Sequence, residues 1–205
     1  MEAKHPPGLV LHGARRYDLL VWLLTLGHEG AFRERLLEPA NLRPGERVLD
    51  VGCGTGTLAI AAKRRVGPAG VVHGIDASPA MVARATHKAA KAGLEVSFAM
   101  ATAQELPFAE ASFDVVVSTL MFHHLGRAAR LECAREMKRV LAPGGRAVVV
   151  DFAQSTRKRS RLLAHFHRHG GVPSREIAGI LETAGFAVVE CAALGLRGLE
   201  FCVAK

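Results

Sequence analysis

From residue 46 onward, short apolar runs alternate with longer stretches whose apolar positions recur at helical spacing. The runs at 47–51 (RVLDV), 71–75 (VVHGI), 94–100, 113–118 (FDVVVS) and 147–152 (AVVVDF) are too short for helices and mostly Val-rich, so they read as strands. Residues 58–66 place Ala and Ile on one side of a helix and Lys63, Arg64 and Arg65 on the other. Ser78 and Pro79 supply an N-cap and a first-turn proline for a helix over 79–92, which Gly93 stops. A further helix is predicted over 127–141, carried by Ala128, Leu131, Ala134, Met137, Lys138 and Leu141 and closed by Pro143-Gly144-Gly145. Another spans 173–184, ends at Gly185, and precedes two last strands at 187–191 and 199–204. Unbroken apolar strands joined by helices predict a parallel sheet buried on both faces. Without an internal repeat or a low-complexity linker, residues 1–205 read as one α/β domain. Residues 1–45 form an N-terminal helical extension, 46–152 the core, and 153–205 a further segment with the last two strands.

The run 17–26 (YDLLVWLLTL) departs from this alternation. Leu19, Leu20, Val21, Trp22, Leu23, Leu24 and Leu26 cover every face of a helix, which falls far short of the ~20 residues needed to cross a bilayer. Such a helix covers an apolar ligand, meets a second subunit or lies on a membrane surface. With no Lys or Arg in the run, the lid is the favoured reading.

Composition then narrows the partners. At 49% hydrophobic and 22% charged residues the chain is globular, and 205 residues bury enough surface to need no disulfide. Cys53, Cys133, Cys191 and Cys202 show neither CxxC nor Cys/His metal spacing, so no metal site and no disulfide framework are expected. Residues 1–8 hold no apolar signal core, and the default expectation is a soluble protein of the reducing cytoplasm. The net charge of +8 hints at nucleic acid, but aromatics for base stacking make up only 5%. The excess is also local. Residues 1–46 carry six bases and six acids, 47–151 thirteen against nine, and 152–205 eight against four.

The informative stretch follows the first strand: Asp50-Val51-Gly52-Cys53-Gly54-Thr55-Gly56. Three alternate glycines allow unusual backbone angles and let a ligand approach the main chain. The spacing GxGxG differs from the GxGxxG that sets a pyrophosphate on a helix N-terminus, so it suits a ligand without phosphate. Asp76, twenty residues beyond Gly56, ends the second strand, where a carboxylate accepts bonds from both ribose hydroxyls in doubly wound folds. Together they point to a nucleoside site.

These residues resemble the class I S-adenosylmethionine-dependent methyltransferases, in particular the ubiquinone/menaquinone-biosynthesis and phosphoethanolamine methyltransferase-like group. VLDVGCGTG, GIDASPAMV, ELPFAEASFDVVVS and LAPGG match four ordered motifs across residues 40–152. The resemblance implies a Rossmann-like, doubly wound seven-stranded sheet, mostly parallel with the last strand antiparallel. It also implies S-adenosyl-L-methionine as cofactor. Gly52, Cys53, Gly54 and Gly56 would form the cofactor loop, Asp50 would order that loop or meet the amino group, and Asp76 would hold the ribose. Ala77 and Met81 would flank the adenine, Thr102, Ala103 and Gln104 would read its edge, and Ser118 would begin the segment beneath it. One departure is Ala101-Thr102-Ala103, where many relatives carry Gly-Asp-Ala; one lost hydrogen bond costs only ~1 kcal/mol.

Methyl transfer from a sulfonium is an in-line displacement that rests on positioning, with a base needed only where the acceptor loses a proton. The resemblance nominates Tyr17, from the covering segment, and His124, with His123 beside it. Residues 157–168 carry Arg157, Lys158, Arg159, Arg161 and Arg168 uninterrupted by acid, suiting an anionic group on the acceptor. The expected function is methyl transfer to a small or amphiphilic, lipid-like acceptor, with peripheral membrane contact and oligomeric state left open. Two other readings stand beside it. A nucleic-acid methyltransferase is disfavoured because the fourth strand runs into Ser-Thr-Leu-Met and no Pro-Cys nucleophile is present. A cofactor-binding partner protein without catalysis would keep the same glycines.

Overall fold

The computed structural model describes residues 27–153, 171–196 and 198–205, together with Asp18 and Leu23 of the preceding segment. Among them the elements run α1 (Glu29–Leu37), a 3-10 turn (Glu38–Ala40), β1 (Arg47–Val51), α2 (Thr57–Val66), β2 (Val71–Asp76), α3 (Pro79–Lys91), β3 (Ser97–Met100) and β4 (Phe113–Thr119). A second 3-10 turn (Phe122–His124), α4 (Arg127–Val140), β5 (Leu141–Phe152), α5 (Ser174–Thr183), β6 (Val188–Ala193) and β7 (Leu199–Ala204) follow.

The strands form one seven-stranded sheet in the order β3-β2-β1-β4-β5-β7-β6. β1 to β5 pair in parallel, and β7 is antiparallel to both β5 and β6. Period-two alternation explains the Val runs. Val115, Val117, Val148 and Val150 face a layer containing Leu36 and Leu37 of α1 and Leu58, Ala62 and Val66 of α2. Their neighbours Val116, Ala147 and Val149 face Cys133, Met137 and Val140 of α4 and Ile177 and Leu181 of α5. The central strands β1, β4 and β5 feed two cores, which is why their runs show no polar face.

Three expectations shift. Pro143-Gly144-Gly145 lies inside β5, not between elements: Phe113 pairs Leu141 but Val115 pairs Arg146, so the extra residues bulge. β3 starts at Ser97 rather than at 94, and most of its residues are exposed at the sheet edge. Cys191 and Cys202 are joined as a disulfide, because the β6–β7 register sets them opposite each other with Cα atoms 4.2 Å apart. Strand order reverses between β1 and β4, which places the ligand crevice of a doubly wound sheet at their carboxyl ends.

Candidate functional site

The loop after β1 is stapled to the end of β2. The amides of Gly52 and Cys53 both donate to the Ile75 carbonyl at 2.9 Å, and the Gly54 amide donates to Asp76 Oδ2 at 2.9 Å. Asp76 Oδ1 accepts the Ser78 amide at 2.8 Å, so this carboxylate joins the loop to the start of α3 while keeping lone pairs for a ligand. Burial pushes its pKa up, against the pull of those two amides. Gly54 (φ +54°) has open space where a side chain would be, whereas a Cβ on Gly52 would collide with Met121. Gly56 serves packing: its N–H returns to Cys53, and a Cβ there would meet Ala85 and Phe98 at 2.7 and 2.8 Å.

Asp50 is only 1% exposed, and neither of its oxygens has a hydrogen-bond partner. Burial raises its pKa to about 7; the nearby Arg33 guanidinium pulls down, Asp76 pushes further up, and the Ala59 amide, outside bonding geometry, pulls down more weakly. A buried carboxyl without a bonded donor is costly, and its oxygens are open to a cation brought by a ligand. Cys53 is buried beside both acids, which drives its thiol well above the usual range and rules it out as a ready nucleophile.

The remaining expected contacts are dispersed around this loop. Met81 is buried at the start of α3 and Ala77 is exposed at the strand end. Ala103 is buried, Gln104 half-buried and Thr102 exposed in the segment that runs past the end of β2, where Ala101 N–H bonds the Asp76 carbonyl at 3.2 Å. Ser118 departs from its expected place. It lies inside β4, fully buried, and donates its hydroxyl to the Val51 carbonyl at 3.1 Å, so it ties β4 to β1 beneath the loop.

At the end of β4 the backbone turns sharply. Leu120 has φ +55°, a conformation rare for a bulky residue, and its amide bonds the Val150 carbonyl at 2.8 Å. The 3-10 turn that follows carries both histidines. His123 Nδ1 lies 2.7 Å from Asp151 Oδ1, and its amide donates to Oδ2 at 2.9 Å. His123 and His124 stack with centroids 3.9 Å apart; His123 is buried and His124 half-buried. Asp151 was not anticipated from sequence, though it ends a Val-rich strand at the carboxyl edge just as Asp76 does. Tyr17 and the basic residues of 157–168 lie outside the described residues. Asp18, next to Tyr17 in the chain, accepts from Thr55 Oγ1 at 2.7 Å, Arg84 Nε at 2.8 Å and Lys88 Nζ at 3.2 Å. This ties the start of the chain to the glycine loop and α3.

The whole arrangement suits a nucleoside with a cationic, amino-acid-like end: hydroxyls toward Asp76, an ammonium toward Asp50. No group of metal-binding side chains occurs among the described residues, and none of their helices is long and apolar enough to cross a membrane.

Comparison with known proteins bears on the same region. A family described as "Methyltransferase domain" matches residues 48–145. The chain is 44% identical over 139 residues to the demethylmenaquinone methyltransferase of Thermus thermophilus, covering 68% of this chain and 62% of that one. It is 33% identical over 168 residues to the ubiquinone/menaquinone biosynthesis C-methyltransferase of Bdellovibrio bacteriovorus, covering 82% and 69%. It thus spans about six tenths of the length of the first curated relatives it matches. A crystal structure of an S-adenosylmethionine-dependent methyltransferase from Aquifex aeolicus superposes with TM-score 0.73 at 27% identity, covering 84% of this chain and 88% of the other.

Proposed function

The chain belongs to the class I S-adenosylmethionine-dependent methyltransferases of the ubiquinone/menaquinone type, and we propose that it methylates a ring carbon of a lipid-like quinone precursor in its electron-rich hydroquinone form. The observation that carries this reading is the glycine loop stapled to Asp76 with the orphaned Asp50 carboxyl beside it.

The residues present fit the cofactor, which supplies an electrophilic methyl on a sulfonium. Asp76 holds the ribose hydroxyls, Asp50 the α-ammonium, and the Gly52–Gly54 backbone lets the chain approach. Met81 and Ala77 flank the adenine, and Thr102, Ala103 and Gln104 line its edge. The stacked histidines stand at the end of β4, on the acceptor side. There His124, with Tyr17 from the covering segment, holds or accepts the acceptor's hydroxyl proton, and His123 is fixed by Asp151. Arg157 to Arg168 receive an anionic group of the acceptor, and the apolar 17–26 run covers its lipid-like part. The assignments of Asp50, Asp76, His123 and His124 are supported by their position at the crevice, those of Tyr17, the 17–26 run and Arg157 to Arg168 by the sequence alone, and the acceptor by the relatives' names.

Calorimetry with S-adenosylhomocysteine, followed by incubation with S-adenosylmethionine and a demethylmenaquinol, tests the reading. The wild type should bind the first and yield a product heavier by one methyl from the second. Asp76→Ala should weaken binding at least tenfold, since it removes charge-assisted bonds worth about 1.5–3 kcal/mol each. A wild type that binds no S-adenosylhomocysteine overturns the reading.

A further inference from the structure

The 3-10 turn that carries both histidines is gripped from two sides. On one side Asp151, fully buried at the end of β5, takes the His123 amide at 2.9 Å and lies 2.7 Å from its Nδ1. On the other side Arg130 of α4 donates its Nε to the Phe122 carbonyl at 2.9 Å. That carbonyl also accepts the Leu125 amide at 3.0 Å, so both of its lone pairs are used where Phe122 itself is wholly buried. The guanidinium is in turn aimed from a second helix: its Nη1 donates to Glu176 Oε1, in the first turn of α5, at 2.8 Å. The Arg130 side chain is 13% exposed and that of Glu176 41%, and an ion pair so open to water adds little stability. What the pair does fix is direction. A planar fork held at one end by a carboxylate points its other N–H along a set line, and a flexible lysine ammonium has no such fork.

The turn needs this grip because its own geometry offers little. It is three residues long, follows Leu120 at φ +55°, and closes through the weaker hydrogen-bond geometry of a 3-10 helix. We propose that Arg130, aimed by Glu176, is a positioning residue for methyl transfer: it holds the Phe122–His124 turn so that the His124 ring keeps one place at the crevice. This role rests on the reading that sets His124 on the acceptor side, and extends that reading to α4 and α5. His123 transmits the hold, being fixed to Asp151 and stacked on His124 with centroids 3.9 Å apart.

Arg130→Met, Arg130→Lys and Glu176→Gln are compared with Arg47→Met, which removes the Arg47–Asp114 ion pair where β1 and β4 begin, at the opposite edge of the sheet. Two readouts are taken: turnover with S-adenosylmethionine and a demethylmenaquinol, and the histidine ring signals in nuclear magnetic resonance spectra of the protein. Arg130→Met should lower kcat about tenfold or more, since small misplacements near the reacting atoms are costly, with acceptor KM and S-adenosylhomocysteine affinity within about threefold of wild type. Arg130→Lys and Glu176→Gln should fall between. The double variant Arg130→Met/His124→Ala should be no slower than His124→Ala alone, because the arginine acts through that ring. The His123 and His124 ring signals should shift or broaden in Arg130→Met and keep their wild-type positions in Arg47→Met. Losses that multiply in the double variant, or equal losses from Arg130→Met and Arg47→Met, would make Arg130 a structural residue and overturn the proposal, as would ring signals unchanged in Arg130→Met. If the wild type transfers no methyl, or His124→Ala turns over like wild type, the functional reading has failed, and the ring signals alone decide whether Arg130 holds the turn.

Discussion

At the scale of single residues, Asp50 is the group whose environment has the largest consequence. Its carboxyl titrates at about 7 in the folded chain against an ordinary value near 3.8, chiefly through burial. Between those values the folded state keeps a proton that the unfolded state has lost, so stability declines as pH rises from about 4 to about 7 and then levels off. Asp50→Asn removes the penalty. The ligand-free variant should resist urea better than wild type at pH 8, by up to roughly 4 kcal/mol, because each pH unit separating the two values is worth about 1.36 kcal/mol. That advantage should vanish near pH 4. The same variant should bind S-adenosylhomocysteine poorly, and wild-type affinity should fall on acidification below pH 7, as the ammonium must then displace a proton. Denaturant titrations and binding isotherms at three pH values check both slopes; a flat wild-type profile would show that Asp50 is already ionised. Asp50 belongs to a motif visible in the sequence, but its missing partner does not, because hydrogen-bond satisfaction depends on what the fold brings near.

Among the elements, the contact between the start of the chain and α3 is specific in a way the periodicity did not show. Arg84 and Lys88 stand one helical turn apart and reach the same Asp18 carboxylate, which also takes the Thr55 hydroxyl from the glycine loop. Burial alone would raise the pKa of Asp18, but Thr55, Arg84 and Lys88 together hold it below the ordinary carboxylate value. The tie is therefore complete at neutral pH and is lost only as pH falls through that lowered value. Asp18→Ala should weaken S-adenosylhomocysteine binding severalfold by releasing Thr55 of the glycine loop; an affinity unchanged from wild type would show the tie to be idle. The strands β1, β2, β4 and β7, the stop of α3 and the glycine loop were legible in the sequence because period and glycine placement are local signals. The bulge at Pro143–Gly145, the Cys191–Cys202 bridge and the His123–Asp151 pair were not. The first two are decided by which residues lie opposite one another across strands, and the third by where the turn after β4 comes down beside the end of β5; both are properties of the assembled sheet.

For the molecule as a whole, the seven-strand order divides labour along one edge of the sheet. On the reading proposed above, cofactor contacts would come from the ends of β1 and β2, and the acceptor side from the ends of β4 and β5. Beyond β5 the chain is pinned at both ends of the interval 154–170. Ala153 N–H bonds the Gly198 carbonyl at 2.8 Å, and Gly171 approaches the carbonyls of Phe152 and Ala153 so closely that no side chain would fit there. Replacing 154–170 by a short Gly-Ser linker should thus leave S-adenosylhomocysteine affinity within about twofold while abolishing transfer to the acceptor; loss of cofactor binding would show the interval to be part of the fold. A stretch whose two ends already touch is, in effect, a graft site. On the reading proposed above, such a chain could lengthen, shorten or trade that stretch for another without the sheet registering the change, so that its taste in acceptors would drift while its grip on the methyl donor is inherited intact.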